Sequence, residues 1–373
     1  MKTRVAVIGG GNGGQAMAGH LGMRGFDVSL LEDPRFEAGI AEVRSRGAIE
    51  LKGALSGLGP VSATTDPGEA MKGVRIAYFV VPSFGQMPLF RAALPFMEKG
   101  VEAVFIPGNF GSLEAARVLR DAGRSGEVGL AETDTMPYAC RLESPGCVHV
   151  WGIKKGMSVA ALPGSLSGSA AARLAETFPV PLEPSGDILS VGLSNLNMIV
   201  HCSSILLNAG RIEATGGNFR FYTDGATPSI GKLMEGIDRE RLAVGKALGI
   251  ELAPAAEWFR RAYPVEGERL HELLSKNPVY ASHGPDAPKT MSHRYITEDV
   301  PNLLVPLVEL GRLAGVPAPL AGAVVTLLSE IAGEDFTQSG RNLEKLGLAG
   351  MTPAQALGLV RKGDLRSGGV NLG

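Results

Sequence analysis

Cysteine is scarce. The 373 residues contain three, Cys140, Cys147 and Cys202, at spacings that fit neither a disulfide framework nor a tetrahedral zinc site, so no metal is expected. Neither sign of charge dominates. Thirty-six Lys and Arg against 38 Asp and Glu leave a formal charge of −2, which gives no general grip on a polyanion and excludes nucleic acid as a partner. Internal repeats and low-complexity segments are absent, and Met1-Lys2-Thr3-Arg4 runs directly into Val5-Ala6-Val7-Ile8 without the pattern of a signal peptide. A reduced, cytoplasmic protein is expected. One stretch, Ile188 to Gly210, carries no formal charge and is long enough to cross a bilayer. Its serines, asparagines and His201 are costly in lipid, so the reading is a buried helix and no membrane partner.

Glycine, by contrast, is abundant: 51 of 373 residues, about twice ordinary usage, with no Gly-X-Y period. Such glycine suits α/β folds, where tight turns bring backbone close to phosphate. The length suggests two domains, and 45% hydrophobic with 20% charged residues argues against wholesale disorder.

Short unbroken apolar runs alternate with helical patterns over the first 110 residues. Arg4–Ile8, Asp27–Leu31, Ile76–Val81 and Ala103–Ile106 read as strands, and Gly13–Arg24 as a helix with Gly25 just past its end. This is the pattern of a parallel sheet covered on both faces. Shorter runs at Glu127–Ala131, Cys147–Ile153 and Ser158–Leu162 add strands. After Glu183-Pro184-Ser185-Gly186-Asp187 the spacing turns helical, at Leu193–Ala209, Ser229–Leu248, Ala255–Tyr263, Leu303–Leu313 and Leu320–Ile331, with a Pro/Gly-rich divide from Asn277 to Pro288. The expected fold is an α/β domain over residues 1–184 and an all-α domain over 185–373.

The strongest motif is Gly9-Gly10-Gly11-Asn12-Gly13-Gly14, which satisfies G-x-G-x-x-G at Gly9, Gly11 and Gly14 between a strand and a helix. The first glycine allows the tight turn, the second the approach of a pyrophosphate, and the third close helix packing. Glu32 ends the second strand 32 − 9 = 23 positions after Gly9, where a carboxylate holds the adenosine ribose. The N-terminal domain is therefore read as a Rossmann-type dinucleotide-binding domain, with Gly9, Gly11, Asn12, Gly13, Gly14 and Glu32 at the cofactor. Glu32 and Asp33 repel a 2′-phosphate, which favours NAD(H); Arg35 leaves NADP(H) open. Pro82-Ser83-Phe84 and Pro107-Gly108-Asn109 follow strands at the edge where ligands lie, so Pro82 joins the cofactor candidates; their alternative role is simply to end strands.

Ser190, Ser194, Asn197, His201, Ser204 and Asn208 are spaced 4, 3, 4, 3, 4, one face of an α-helix. A stripe of neutral hydrogen-bonding groups on an apolar helix implies an enclosed wet cleft or a buried polar network. His201 is its only titratable group and hence its acid/base candidate. Further on, Arg294 is suited to a bidentate grip on a carboxylate, and Asp299 to orienting a histidine. Spacing alone favours the plainer roles, Asp299 as a helix cap and Arg294 as a surface partner of Glu298.

Together these residues resemble the opine dehydrogenase family, which includes octopine and nopaline dehydrogenases. The likeness spans the glycine loop with Asn12, Met136–Arg141, Asn195-x-Asn197-x-x-x-His201, and Arg294 with Asp299. It continues through Val305-Pro306-Leu307-x-Glu309-Leu310-Gly311 to Leu343-Glu344-Lys345-Leu346-Gly347-Leu348. The resemblance implies a Rossmann domain, a helical domain and a cleft between them. It also implies reductive condensation of an L-amino acid with a 2-oxo acid, usually pyruvate, using NADH or NADPH. By similarity His201 and Asp299 form a catalytic dyad, Arg294 holds the oxo-acid carboxylate, and Asn197 lies with the substrate. Glu132 or Asp134 falls where some relatives hold a basic amino acid. The expected partners are these small molecules, and a homodimer is left open. The alternatives are a 2-oxo-acid reductase or secondary-alcohol dehydrogenase on the same two-domain plan, in whose relatives a lysine commonly stands where this chain has His201, and a non-catalytic dinucleotide-binding protein.

Overall fold

The computed structural model describes residues 3–281 and 287–363, so the Pro/Gly-rich divide lies partly outside the described residues. Contacts separate the chain into one unit of Met1–Val191 with Gly358–Gly373 and another of Gly192–Leu357.

In the first unit the strands are β1 (Arg4–Ile8), β2 (Asp27–Leu31), β3 (Ala48–Gly53), β4 (Gly57–Pro60), β5 (Ser62–Thr64) and β6 (Ile76–Phe79). They continue with β7 (Glu102–Phe105), β8 (Gly129–Thr133), β9 (Tyr138–Ser144), β10 (Cys147–Ile153), β11 (Met157–Leu162) and β12 (Leu182–Pro184). Eight of them form one sheet in the order β12-β11-β8-β7-β6-β1-β2-β5. Every pairing is parallel except β8 with β11. The run β5-β2-β1-β6-β7-β8 is the doubly wound order of a dinucleotide-binding fold, with the chain reversing direction across the sheet at β1/β6. The four remaining strands make a second sheet, β4-β3-β10-β9.

The unbroken apolar strands have the cause expected of them. Val5 and Val7 point into one hydrophobic cluster with Met17, Leu21, Ile49 and Val148. Ala6 and Ile8 point into the opposite cluster with Phe90, Phe105 and Val118. With both faces buried, a polar residue has nowhere to point. The helix after β1 runs Asn12–Met23, and Gly25, at φ 91°, takes the left-handed position beyond it.

The second unit is helical throughout its described residues, with Asn197–Leu207, Pro228–Ala247, Ala255–Ala262, Val305–Ala314 and Pro319–Ala332 as its main elements. The helix expected over Leu193–Ala209 is broken. One segment ends at Ser194 and another begins at Asn197, whose N–H donates to the Asn195 side chain. This lets an asparagine substitute for the helical ladder. Ile188–Leu207 is long and apolar enough to cross a membrane, yet most of it is buried in protein. Before Val305–Ala314 the backbone makes a wider turn over Val300–Leu304, where Pro301 cannot donate to the ladder.

The change of unit falls at Val191/Gly192, a few residues past the compositional change at 184, and the last described helix, Pro353–Lys362, straddles the second boundary. Its Arg361 Nε donates to Asp187 Oδ2 at 2.8 Å, and the Asp187 side chain is almost wholly buried. A buried carboxylate needs such a partner, and the pair ties the last described helix to the first unit.

Candidate active site

In the first unit the glycine loop sits at the carboxyl end of β1. Gly9 has φ 112°, and a side chain there would strike Val81 and the Val80 carbonyl, just past the end of the neighbouring β6. A Cβ on Gly14 would collide with the Gly9 carbonyl oxygen, so helix and turn approach only as glycines. A Cβ on Gly11 would meet nothing within 4 Å, which leaves backbone open at the start of the helix, as a pyrophosphate requires. Glu32 binds the loop itself: Oε2 accepts from Gly10 N–H at 2.7 Å and Oε1 from Asp33 N–H at 2.8 Å. Burial, the largest influence, raises its pKa above the ordinary glutamate range against those two hydrogen bonds.

Arg35, exposed, is paired with Asp33, which accepts from its Nε at 2.9 Å and its Nη2 at 2.8 Å. That grip lowers the Asp33 pKa to about 2. Asn12, expected at the cofactor, uses its Oδ1 to accept from Leu142 N–H at 2.9 Å and thereby fastens β9 over the helix. Gly13 leaves room for Met136, whose Cε a Cβ would strike. Pro82 directly precedes the helix Ser83–Ala93, just past the end of β6 and on the same sheet edge as the loop. Glu132 is 0% exposed, and its carboxylate accepts from Phe110 N–H, Ser112 N–H and Ser112 Oγ. It fastens a turn in which Asn109 and Phe110 both have positive φ. Asp134 accepts from Ser158 N–H at 3.3 Å, and burial raises its pKa.

In the second unit the fold brings His201 and Asp299 together across 98 positions of sequence, with Nδ1 to Oδ2 at 2.6 Å. They are 8% and 5% exposed. Asp299 is therefore more than the helix cap that spacing allowed; its side chain caps nothing. An ionised Asp299 can only accept, which places a proton on Nδ1 and presents Nε2 outward. Arg294 meets the alternative raised for it: its Nε donates to Glu298 Oε2 at 2.8 Å. Its side chain is nevertheless 56% exposed, whereas that of Glu298 is 3% exposed. The pair is thus a buried carboxylate holding an exposed guanidinium in place. Asn197 is exposed at the first turn of the His201 helix.

The polar stripe does not form one continuous face. Ser194 and Asn197 are exposed on either side of the helix break, whereas Ser204 and Asn208 are buried, Asn208 donating to Ser204 O and Gly225 O. His201 stands at the change between them.

An aromatic cage, which spacing did not reveal, surrounds His201. Tyr295 stacks on the imidazole with centroids 3.8 Å apart and 24° between planes. The Tyr222 hydroxyl lies 2.9 Å from Nε2 and 3.1 Å from the Tyr295 hydroxyl. Tyr280 stacks on Tyr222 at 4.3 Å and hydrogen-bonds Tyr263. Four of the chain's six tyrosines thus gather here, a concentration between 222 and 295 that was the available signal. His293 is spent locally, its Nδ1 accepting from Tyr295 N–H; burial, and then the positive charge of neighbouring groups, lowers its pKa.

Known proteins of the same design exist. Residues 184–332 match the family model described as NAD/NADP octopine/nopaline dehydrogenase, alpha-helical domain. The opine dehydrogenase of Arthrobacter sp. strain 1C is 38% identical over 94% of this chain and 96% of its own length. Vitopine synthase of Allorhizobium ampelinum is 29% identical over 94% and 97%. Among solved structures, octopine dehydrogenase with NADH and L-arginine superposes with a TM-score of 0.77 at 19% identity, covering 95% of this chain and 98% of that one. With 38% identity to an opine dehydrogenase over nearly the whole of both chains, this chain belongs to the opine dehydrogenase family.

Proposed function

We propose that this chain uses His201 and Asp299 as the acid/base pair of an NADH-dependent reductive condensation between an amino acid and a 2-oxo acid. The reaction class is that of the family, and the protein is an NAD(P)-dependent oxidoreductase. The observation that carries the assignment of roles is the 2.6 Å bond between two nearly buried groups, which leaves Nε2 as the working nitrogen.

The open backbone at Gly11 fits a pyrophosphate, and the Glu32 carboxylate at the loop fits a ribose hydroxyl better than a second phosphate. When the dinucleotide is bound, its reduced nicotinamide supplies the hydride. The chain's own residues supply everything else. The amine adds to the keto carbon, and the resulting carbinolamine must lose its oxygen as water, for which His201 provides the proton. Asp299 keeps the imidazole in one tautomer and stabilises the charged form that donates. Arg294, held by Glu298, presents its exposed guanidinium to the oxo-acid carboxylate, and Asn197 supports the substrate one turn before His201. Pyruvate is the favoured oxo acid, since octopine dehydrogenase has been solved with it. A cytoplasmic location suits the three free thiols and a supply of NADH.

Oxidation of NADH with pyruvate alone, compared with pyruvate plus a panel of amino acids, tests the reading. Amine-dependent oxidation is expected. Equal rates without amine would indicate a 2-oxo-acid reductase, and no oxidation under either condition a non-catalytic protein.

A further inference from the structure

The dyad is not the outward end of the polar chain. Asp299 is 5% exposed and His201 8%, whereas Tyr222, the next group, is only partly buried. Nδ1 is committed to Asp299, so a proton enters or leaves the imidazole through Nε2, and Nε2 faces the Tyr222 hydroxyl at 2.9 Å. That hydroxyl is held on two sides. Its ring stacks on Tyr280 at 4.3 Å with 19° between planes, and its oxygen lies 3.1 Å from the Tyr295 hydroxyl. A phenol that merely filled space would need no such orientation, and phenylalanine would serve.

We propose that the Tyr222 hydroxyl is a catalytic group that carries the proton from His201 to the oxygen expelled from the carbinolamine. The inference rests on the function proposed above. In the step, the nitrogen lone pair forms the C=N bond while the C–O bond breaks with its electrons on oxygen. That oxygen takes the Tyr222 proton and leaves as water. The Tyr222 oxygen takes the Nε2 proton of the imidazolium. The products are a protonated imine, a neutral tyrosine and a neutral histidine, so charge and protons balance. Both transfers run in one direction, so no tyrosinate persists.

Tyr222→Phe retains the ring and its stack on Tyr280 but removes the relay. In the full-length protein, with pyruvate and a saturating amino acid, kcat should fall roughly 10- to 100-fold, within the usual worth of a positioned acid/base group. KM for both substrates and Kd for NADH should stay within about threefold, well short of the tenfold that 1.4 kcal/mol represents. Rates in H2O/D2O mixtures should follow a curved dependence in the wild type, from two protons in flight, and a straight one in the variant. Should Tyr222→Phe misfold, 3-fluorotyrosine at position 222, which keeps the hydroxyl but makes it more acidic, is expected to change kcat more than about twofold while both KM values hold, because the relay's proton affinity is altered. A kcat within twofold of wild type, or a loss wholly in KM, would overturn the relay, as would a kcat that fluorotyrosine leaves unchanged. If the wild type reduces pyruvate without amine, the functional reading fails separately. The same variants then decide Tyr222 on that reduction, since a ketone oxygen also takes a proton.

Discussion

His201 and Asp299 are two nearly buried groups whose joint action is open to a direct test. His201→Ala should lower kcat by roughly 10²- to 10⁴-fold, the worth of a positioned acid/base. The double variant with Asp299→Asn should be little worse, because groups acting as a unit are not additive; steady-state kinetics of the three variants check this. Arg294 differs in kind, since its role depends on exposure. If it grips the oxo-acid carboxylate, Arg294→Ala should raise KM for pyruvate roughly 100-fold, the cost of truncating one partner of a charge pair, while NADH affinity holds. Arg294→Lys should recover only part, for an ammonium cannot reproduce the planar fork. Unchanged pyruvate kinetics in both would reduce Arg294 to the partner of Glu298. Glu32 has a pH signature. Its pKa is raised, chiefly by burial, so on acidification it loses its charge before an ordinary glutamate at ~4.3 does. The preference for NADH over NADPH should therefore weaken as pH falls, beginning above that range. Glu32→Ala should lose this dependence, keeping only what titration of the 2′-phosphate contributes. Paired cofactor titrations from pH 5 to 8 measure the difference.

Among elements, the turn between β7 and the following helix shows how a carboxylate near a site becomes framework. Glu132 lies on β8, and its side chain accepts two backbone donors and one hydroxyl from that turn. Glu132→Ala would leave those buried donors without their acceptor, at a cost of about 3 kcal/mol. Urea unfolding should show that loss. A change in the amino-acid KM with stability intact would instead return Glu132 to the substrate pocket. The helix break at Asn195–Leu196 was illegible for a related reason. The residues on both sides keep the helical spacing, and only the asparagine's own hydrogen bond to Asn197 N–H shows that the ladder stops there. Strands on long apolar runs, by contrast, were readable: Arg4–Ile8, Asp27–Leu31 and Cys147–Ile153 form to the residue, whereas Ala48–Gly53, Gly57–Pro60, Ser62–Thr64, Tyr138–Ser144 and Leu182–Pro184 were not read from the sequence.

At the scale of the whole molecule, the chain's last described helix returns to the unit in which the chain began. Arg361→Ala would strip Asp187 of its cation and should lower unfolding stability by about 2 kcal/mol. Denaturant titration checks this, and the rate ratio with and without amine should not change. That return could not be read from composition, because a boundary set by long-range contact leaves no local mark. The sequence by itself determined the layered sheet, the glycine loop with Glu32, and His201 as a polar anomaly on an apolar helix. These depend on periodicity, on backbone sterics and on residues close together in the chain. Only the tertiary structure decided that Asp299 reaches His201, that Glu298 holds Arg294, that Asn12 and Glu132 fasten neighbouring backbone, and that Tyr222 and Tyr295 from separate segments pack on the imidazole. Each of these is a pairing of side-chain atoms, and between distant segments it is the packing of helices and strands, not their composition, that sets which donor meets which acceptor.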